Sequence, residues 1–376
     1  MDFASGMPND PTPAQADRLA RRVLSARLGL RPKENVTIEA YPTSLPWAAG
    51  FVREARRMGA RPLLHYEDEH SYWHAVENGR ASLLGTPGEH EWAALEKTNV
   101  YVYFWGPENQ ARLRALPDAT QEKLFAFNRR WYDLAGKSGV RGVRMAIARA
   151  TEENARFFGV SLPTWRKEVL AASLRDPRTL ARDAERVRAA LARSGSIRIE
   201  HANGTDLTLA LAGREPTVFL GQVTPKTRRT SFGGLMASVP DANVLVAIDE
   251  STAEGTLVAN RPTFVLGPAL RGARWRFEAG RLRSANFAEG GGWFRRDFAR
   301  APAGKDRPSF VEIGLDPAIH AAPTCEESER GAVTIGVGGN SNFGGATKCP
   351  YVSYVTLAGA TVSVEGERIL RGGRVL

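Results

Sequence analysis

Cysteine is scarce in this chain. Its 376 residues include two, Cys325 and Cys349, which excludes a disulfide framework as the basis of the fold. Long apolar runs are missing as well: no stretch approaches the roughly 20 residues that a membrane span needs. The opening Met1-Asp-Phe-Ala-Ser-Gly-Met-Pro-Asn-Asp lacks the basic region and apolar core of a signal peptide. A cytoplasmic protein with no membrane partner is expected. There is no internal repeat or low-complexity tract. Several catalytic signatures are also absent: no G-x-S-x-G elbow, no Ser-His-Asp arrangement, no H-E-x-x-H pair. Gly336-Val-Gly-Gly339 lacks the Lys-Ser/Thr of a P-loop and the spacing of a dinucleotide fingerprint, and reads as a strand-end turn.

What is present is an ordinary globular composition, 43% hydrophobic and 24% charged, with a net charge of +10. The length predicts two domains. The positive charge raises the question of an anionic partner. In the helical segment Arg175–Arg193, however, Asp176, Asp183 and Glu185 alternate with the arginines. That alternation suits a solvated helix face better than a phosphate-tracking stripe. Nucleic acid is therefore not the expected partner, and no RNA-binding, zinc-finger or helix-turn-helix signature appears.

Periodicity divides the chain near residue 193. In residues 1–193, helical patterns over Ala14–Leu28 and Trp47–Met58, the latter ending at Gly59, alternate with apolar strands at Asn35–Tyr41, Arg61–Tyr66, Asn99–Trp105 and Arg141–Ala148. This rhythm predicts a parallel sheet covered by helices, with a helical bridge from Leu162 to Arg193. Residues 194–376 change texture. Short β candidates lie at Ile197–Glu200, Thr205–Leu211, Asn243–Ala247, Thr263–Leu266, Ala332–Val337, Tyr351–Leu357 and Thr361–Glu365, punctuated by glycine clusters. A strand-rich C-terminal α/β domain is expected. Glu289-Gly-Gly-Gly-Trp293 reads as a flexible loop.

The six histidines offer few sites. His65, His70 and His74 sit among Glu67, Asp68 and Glu69, and a helix would put His70 and His74 on one face. A metal site is conceivable there, but a polar strand-to-helix connection explains the segment better. His201 beside Asn203-Gly204 belongs to a turn.

From His201 onward a family resemblance emerges. Ala202-Asn-Gly-Thr-Asp-Leu-Thr208 resembles the G-T-D-L-T strand of the thermophilic M29-type aminopeptidases. Val239-Pro-Asp-Ala-Asn-Val-Leu-Val246 and Ser251-Thr-Ala-Glu-Gly-Thr256 resemble P-x-G-E-V-F-T and S-A-E-G-T. Val311-Glu-Ile-Gly-Leu-Asp-Pro317 resembles E-L-G-I-G-x-N-P. Glu326-Glu-Ser-Glu-Arg-Gly-Ala-Val-Thr334 resembles D-E-K-x-L-G-T-V-H. Gly344–Tyr354 matches G-G-K-x-K-x-x-I-H-W-D in length, and Val362–Leu370 resembles a closing V-D-G-E-x-I strand. The resemblance implies the two-domain M29 aminopeptidase-like fold and a homodimer.

It also implies a pair of divalent metals held by two glutamates, two histidines and an aspartate, which would activate water and polarise the peptide carbonyl. Those positions fall on Asn243, Glu312, Thr334, Val352 and Tyr354, so one ligand in five is kept. The 2,5-dihydroxypyridine ring-cleaving dioxygenases resemble the chain around Ala253–Val258 and Gly344–Pro350. Their iron positions fall on Glu312, Val352 and Tyr354. Both resemblances imply a cleft without its metal set.

The expected function is hydrolysis or other acid/base chemistry on a small polar or amino-acid-like substrate, with no cofactor. Glu312, Tyr354 and Glu327 are the candidate catalytic residues. A buried glutamate freed from metal is suited to proton transfer, and a tyrosine to oxyanion stabilisation. Asn243, Glu254, Thr334, Asn340 and His320 are the candidate substrate contacts. Two alternatives stand: a metal-dependent aminopeptidase with an altered ligand set, carrying a single divalent ion such as Zn or Fe, and a non-catalytic binding or scaffold protein. Two further arrangements are chemically allowed: Glu312, His320 and a cysteine as a mononuclear site, and Cys325 as a nucleophile activated by His320.

Overall fold

Strict alternation builds the first sheet. Val36, Ile38, Val102, Phe104, Val143 and Met145 are essentially inaccessible, and all point to one face because side chains alternate along a strand. The helices Pro13–Arg22 and Leu45–Arg57 cover that face through Leu19, Ala20 and Phe51, with Phe51 edge-on to Phe104 at 5.3 Å. The computed structural model describes residues 10–376 except 231–233, 265–266 and 321. Within it the first sheet has five parallel strands, in the order Arg61–Tyr66, Asn35–Ala40, Val100–Phe104, Arg141–Met145, Met236–Val239.

The fifth strand departs from expectation. Met236–Val239 lies beyond residue 194, so the chain returns to the first sheet before completing the second half. Four residues with no clear alternation gave no periodic signal.

The first helix starts as its sequence dictates. Thr12 and Gln15 form a reciprocal capping box with Pro13 at the first position. The pattern expected to run to Leu28 is α-helical only to Arg22, and Val23–Arg27 forms a π-turn. That turn ends at a buried arginine. Arg27 is 6% exposed. Its guanidinium donates to the carbonyls of Leu220 (2.8 Å), Ala172 (3.3 Å), Ser173 (3.3 Å) and Arg175 (3.1 Å). Ala172 and Ser173 belong to the last turn of the helix Leu162–Leu174, whose terminal carbonyls have no intrahelical partner. One side chain thus ties the first helix, the helical bridge and the second half together. Burial lowers its pKa to about 10, opposed by Asp316 and Asp241.

The second half is two antiparallel sheets packed over one core. The larger runs Arg281–Asn286, Arg274–Glu278, Glu254–Val258, Thr205–Ala212, Ser194–His201, Thr361–Val364, Glu367–Arg371, Arg374–Val375. The smaller runs Val352–Leu357, Val333–Gly338, Pro308–Gly314, Asn243–Ala247, Thr217–Phe219. Trp275 and Phe277 from the first meet Val311, Ile313, Ile335 and Val355 from the second, and the helix Ala181–Leu191 adds Val187 and Leu191. The expected strand Thr263–Leu266 falls partly outside the described residues; Thr263 bridges Leu270.

Two loops resolve differently from each other. Glu289–Trp293 is not a flexible loop: Gly290 takes φ +75° and opens the helix Gly291–Arg300, because Phe294 and Phe298, four residues apart, pack on the core. The His65–His74 segment is the polar strand-to-helix connection it was read to be. Asp68 caps the helix Glu69–Asn78 by accepting from Ser71 N at 2.8 Å. Glu69 accepts from Trp73 Nε1 and Glu108 N. The arginines of the 175–193 segment pair with acids, Arg175 with Asp316, Arg188 with Glu185 and Arg178 with Asp176. Among the described residues no helix is long and apolar enough to cross a membrane.

Candidate functional site

The smaller antiparallel sheet has one face in the core and one turned away, and register decides which residues share the second. Glu312 pairs with Leu245 on one side and Thr334 on the other, and Thr334 pairs with Thr356. Gly314 pairs with Asn243, and Gly336 with Tyr354. With a period of two, Asn243, Glu312, Thr334, Val352 and Tyr354 all fall on the face opposite Val311, Ile313, Val333 and Ile335.

A turn closes over this face. Residues Glu326–Ser328 form a 3-10 turn that lies against Gly314 so closely that a Cβ there would collide with the carbonyls of Glu327 and Glu329. Glycine at 314 is what lets the turn descend. It brings Glu326 and Glu327 over the sheet. Asp241 joins from the start of the neighbouring strand, and Asn243 Nδ2 donates to its carboxylate at 2.7 Å.

The result is four carboxyl groups close together over one face of the sheet. Glu312 is 7% and Glu326 0% exposed; Asp241 and Glu327 are partly buried. Burial raises the pKa of Glu312 well above the usual carboxylate range, and Glu327, Asp241 and Glu326 raise it further. Burial and then Glu327 push Asp241 up to about 8, opposed by the Asn243 amide. Burial and Glu327 likewise push Glu326 up to about 8. Burial raises Glu327. The Tyr354 hydroxyl is raised by burial and by Glu326, Glu327 and Glu312. These directions require the groups to be near one another.

Few polar atoms answer this charge. Glu326 Oε1 accepts from Phe264 N at 3.1 Å, but Glu326 Oε2, Glu327 Oε2 and Asn243 Oδ1 are buried with no hydrogen-bond partner. Buried polar atoms ordinarily have a partner, so these three are open to water, an ion or a substrate group.

The other expected residues fall variously. Thr334 is fully buried and its hydroxyl pairs with Thr356 Oγ1 at 2.9 Å. Asn340 is fully used elsewhere: its amide donates to Glu250 and to Ser309 O, and its oxygen accepts from Thr347 N, which pins the Gly344-Gly345 loop. Glu254 is exposed on the larger sheet and accepts from Ala279 N. His320 is exposed, with its backbone N–H on Glu168. Neither residue reaches the cleft. Cys325 is buried beside Ala146–Ala150, with its thiol pKa raised by burial and by Glu327, the opposite of what an activated nucleophile requires. Cys349 is also buried. Sequence reasoning passed over Asp241 and Glu326. The available signal for Asp241 was its spacing of two from Asn243, which puts both on one face.

A family sequence model for the thermophilic metalloproteases (M29) matches residues 13–299. The chain belongs to this family. No curated protein sequence matches it. Among solved structures, wild-type AmpT from Thermus thermophilus is similar with a TM-score of 0.71 and 18% identity, over 96% of this chain and 99% of that one. The 2,5-dihydroxypyridine dioxygenase from Pseudomonas putida is similar with a TM-score of 0.63 and 15% identity, over 97% and 98%. Both likenesses extend over nearly the whole length and show the shared fold.

An M29 fold implies metal, so the donor set matters. On the cleft face the side chains are Asn243, Glu312, Thr334, Val352 and Tyr354. Valine cannot ligate, and the Thr334 hydroxyl is already engaged. Among the described residues, no three His, Cys, Asp or Glu side chains are grouped so as to hold a metal ion. Those five strand positions alone supply too few donors for a dinuclear centre, and the carboxyls of Asp241, Glu326 and Glu327 stand around them.

Proposed function

We propose that this M29-family protein is an acid/base catalyst, most simply a hydrolase, acting on a small polar or amino-acid-like substrate through carboxyl groups in place of the dinuclear metal centre. The observation that carries the reading is the cleft face itself. Glu312 sits on it with Asp241, Glu326 and Glu327 gathered around, and three of the cleft's buried oxygens are unpartnered. Crowded carboxyls do not all ionise together, and a set that shares protons supplies an acid and a base side by side.

The chemistry follows from that pairing. An ionised carboxylate, Glu327 in this reading, takes a proton from water as the water oxygen adds to the substrate carbonyl. A neighbouring neutral carboxyl, Glu312, which burial and the surrounding carboxyls keep protonated, gives its proton to the leaving nitrogen or oxygen. The two exchange roles and the proton count is restored. Tyr354 donates a hydrogen bond to the developing oxyanion. The unpartnered Asn243 Oδ1 accepts from a substrate N–H, while its Nδ2 stays on Asp241.

The unpartnered oxygens also favour a second reading, a single divalent ion held by an altered set. Aminoacyl-nitroanilide hydrolysis by the purified chain, with metal analysis of the same sample, separates the two. The first reading predicts turnover that survives chelator and metal far below one equivalent. Stoichiometric metal with activity lost in chelator would establish the second. A stable protein that binds such compounds without turnover would make it a binding protein. Our reading further takes the chain as a cytoplasmic homodimer, which light scattering tests at about twice the chain mass.

A further inference from the structure

The parallel sheet of the first half has a second face, and it is not aliphatic. Thr37 and Glu39 alternate with Val36, Ile38 and Ala40, and Tyr101 and Tyr103 alternate with Val100, Val102 and Phe104. Register sets Thr37 beside Tyr101, and Glu39 between Tyr103 and His65. A covered parallel sheet ordinarily carries branched aliphatic side chains on both faces. Over this one lies a cavity of about 550 Å³, within the size range of small-molecule sites.

Its charge is the reverse of the chain's. The sequence is net +10, yet among the described residues the cavity is lined by Glu39, Glu67 and Glu91, with His65 and His90, and by no lysine or arginine. Its walls are aromatic, and the rings hold each other in place: Tyr101 meets Trp131 edge-on at 5.1 Å, and Tyr41 meets Tyr72 at 6.5 Å. The Tyr101 hydroxyl donates to the Glu39 carboxylate and fixes it at the floor. The mouth is open and apolar. Leu63, Leu64, Leu83 and Phe125 line it while 52%, 38%, 63% and 42% exposed. A fixed carboxylate and several π faces around one space are the two features that attract an organic cation.

We propose that this cavity binds a small organic ammonium ion, seated between the Glu39 carboxylate and the rings of Tyr101, Tyr103 and Trp131. A second chamber of about 310 Å³ shares Glu39, Tyr101, Tyr103 and Trp131 with the first and is bordered by Arg114, Arg144 and Arg149. The change of sign between chambers sets the orientation: the ammonium group occupies the acidic chamber, and an anionic substituent, on a ligand that has one, points to the arginines. The site uses none of the carboxyls of the Glu312 cleft and does not depend on the reaction there.

Calorimetry on the full chain tests this with benzyltrimethylammonium, using phenylacetate and benzyl alcohol as anionic and neutral matches of similar shape. The expected result is saturable one-to-one binding of the cation, at least about tenfold tighter than either match. Glu39→Gln and Trp131→Leu should each weaken it by about tenfold or more, and Glu312→Gln should leave it unchanged. Should Glu39→Gln fail to fold, Glu67→Gln replaces it with the same direction of effect. Equal binding of the three probes, or cation affinity unmoved in the folded variants, would overturn the proposal.

Discussion

Glu312→Gln is expected to abolish turnover, by roughly 10²–10⁴-fold, and at the same time to make the protein more stable. The two effects come from one cause. Glutamine keeps the shape of the side chain and removes a charge that the cleft disfavours. Because burial and three neighbouring carboxyls raise the Glu312 pKa in the folded state, its contribution to stability is fully present below the unfolded carboxyl value of about 4.3. It is lost as pH rises toward the raised folded value. At pH 4 wild type and variant should therefore unfold at nearly the same temperature. At pH 8 the variant should unfold higher, by about 1–1.5 °C for each kcal/mol relieved. Asp241 and Glu326, both pushed up to about 8, run in the same direction, so wild-type stability itself should decline from pH 5 to pH 8. Thermal scans at several pH values, beside an activity assay, check both halves. A variant that loses stability at pH 8 would show Glu312 to be a structural hydrogen-bonding residue.

The second large effect lies far from the chemistry. Arg27→Met should cost roughly 3–5 kcal/mol, as removal of one partner from a buried charged network does. The methionine fills most of the space, but it leaves the carbonyls of Ala172, Ser173, Arg175 and Leu220 without the donor they share. Unpaired buried acceptors carry their full desolvation penalty. Arg27→Lys should recover part of the loss, since an ammonium donates but cannot fork across four acceptors. The urea midpoint reads this directly. A loss below about 1 kcal/mol for the methionine variant would mean that water reaches those carbonyls and that Arg27 does not join the two halves.

Much of the fold was legible because period and burial agree. Asn35–Ala40, Val100–Phe104 and Asn243–Ala247 carry apolar residues where a packed strand needs them, and they formed where expected. Met236–Val239 was not legible. It is short and joins a sheet whose other strands all lie about ninety or more residues earlier, which no local pattern encodes. The cleft was legible in part. Glu312, Asn243, Thr334 and Tyr354 were found through resemblance, and register then placed them on one face. Asp241 and Glu326 needed the structure, because their proximity depends on a turn settling against Gly314. Asn340 and Glu254 were named by their positions in the resembling segments, and His320 for its imidazole. Alternation and tertiary hydrogen bonding sent them elsewhere.

An M29 fold can keep its architecture whatever its cleft face carries. The apolar face of the smaller sheet, Val311, Ile313, Val333 and Ile335, is independent of what the opposite face carries. Substitutions on that face can alter the site without disturbing the core, in line with the general rule that sites vary on retained folds.

Infrared spectroscopy of the protein as purified, at pH 7 and before and after chelator, tests the central claim most directly. A metal-holding cleft keeps its carboxyls ionised, whereas a metal-free acid/base cleft keeps at least one of them protonated. The account predicts the carbonyl stretch of a neutral carboxylic acid in the untreated protein, unchanged by chelator and reduced in Glu312→Gln. A spectrum without that band before chelator, in which the band appears once metal is removed, would contradict it.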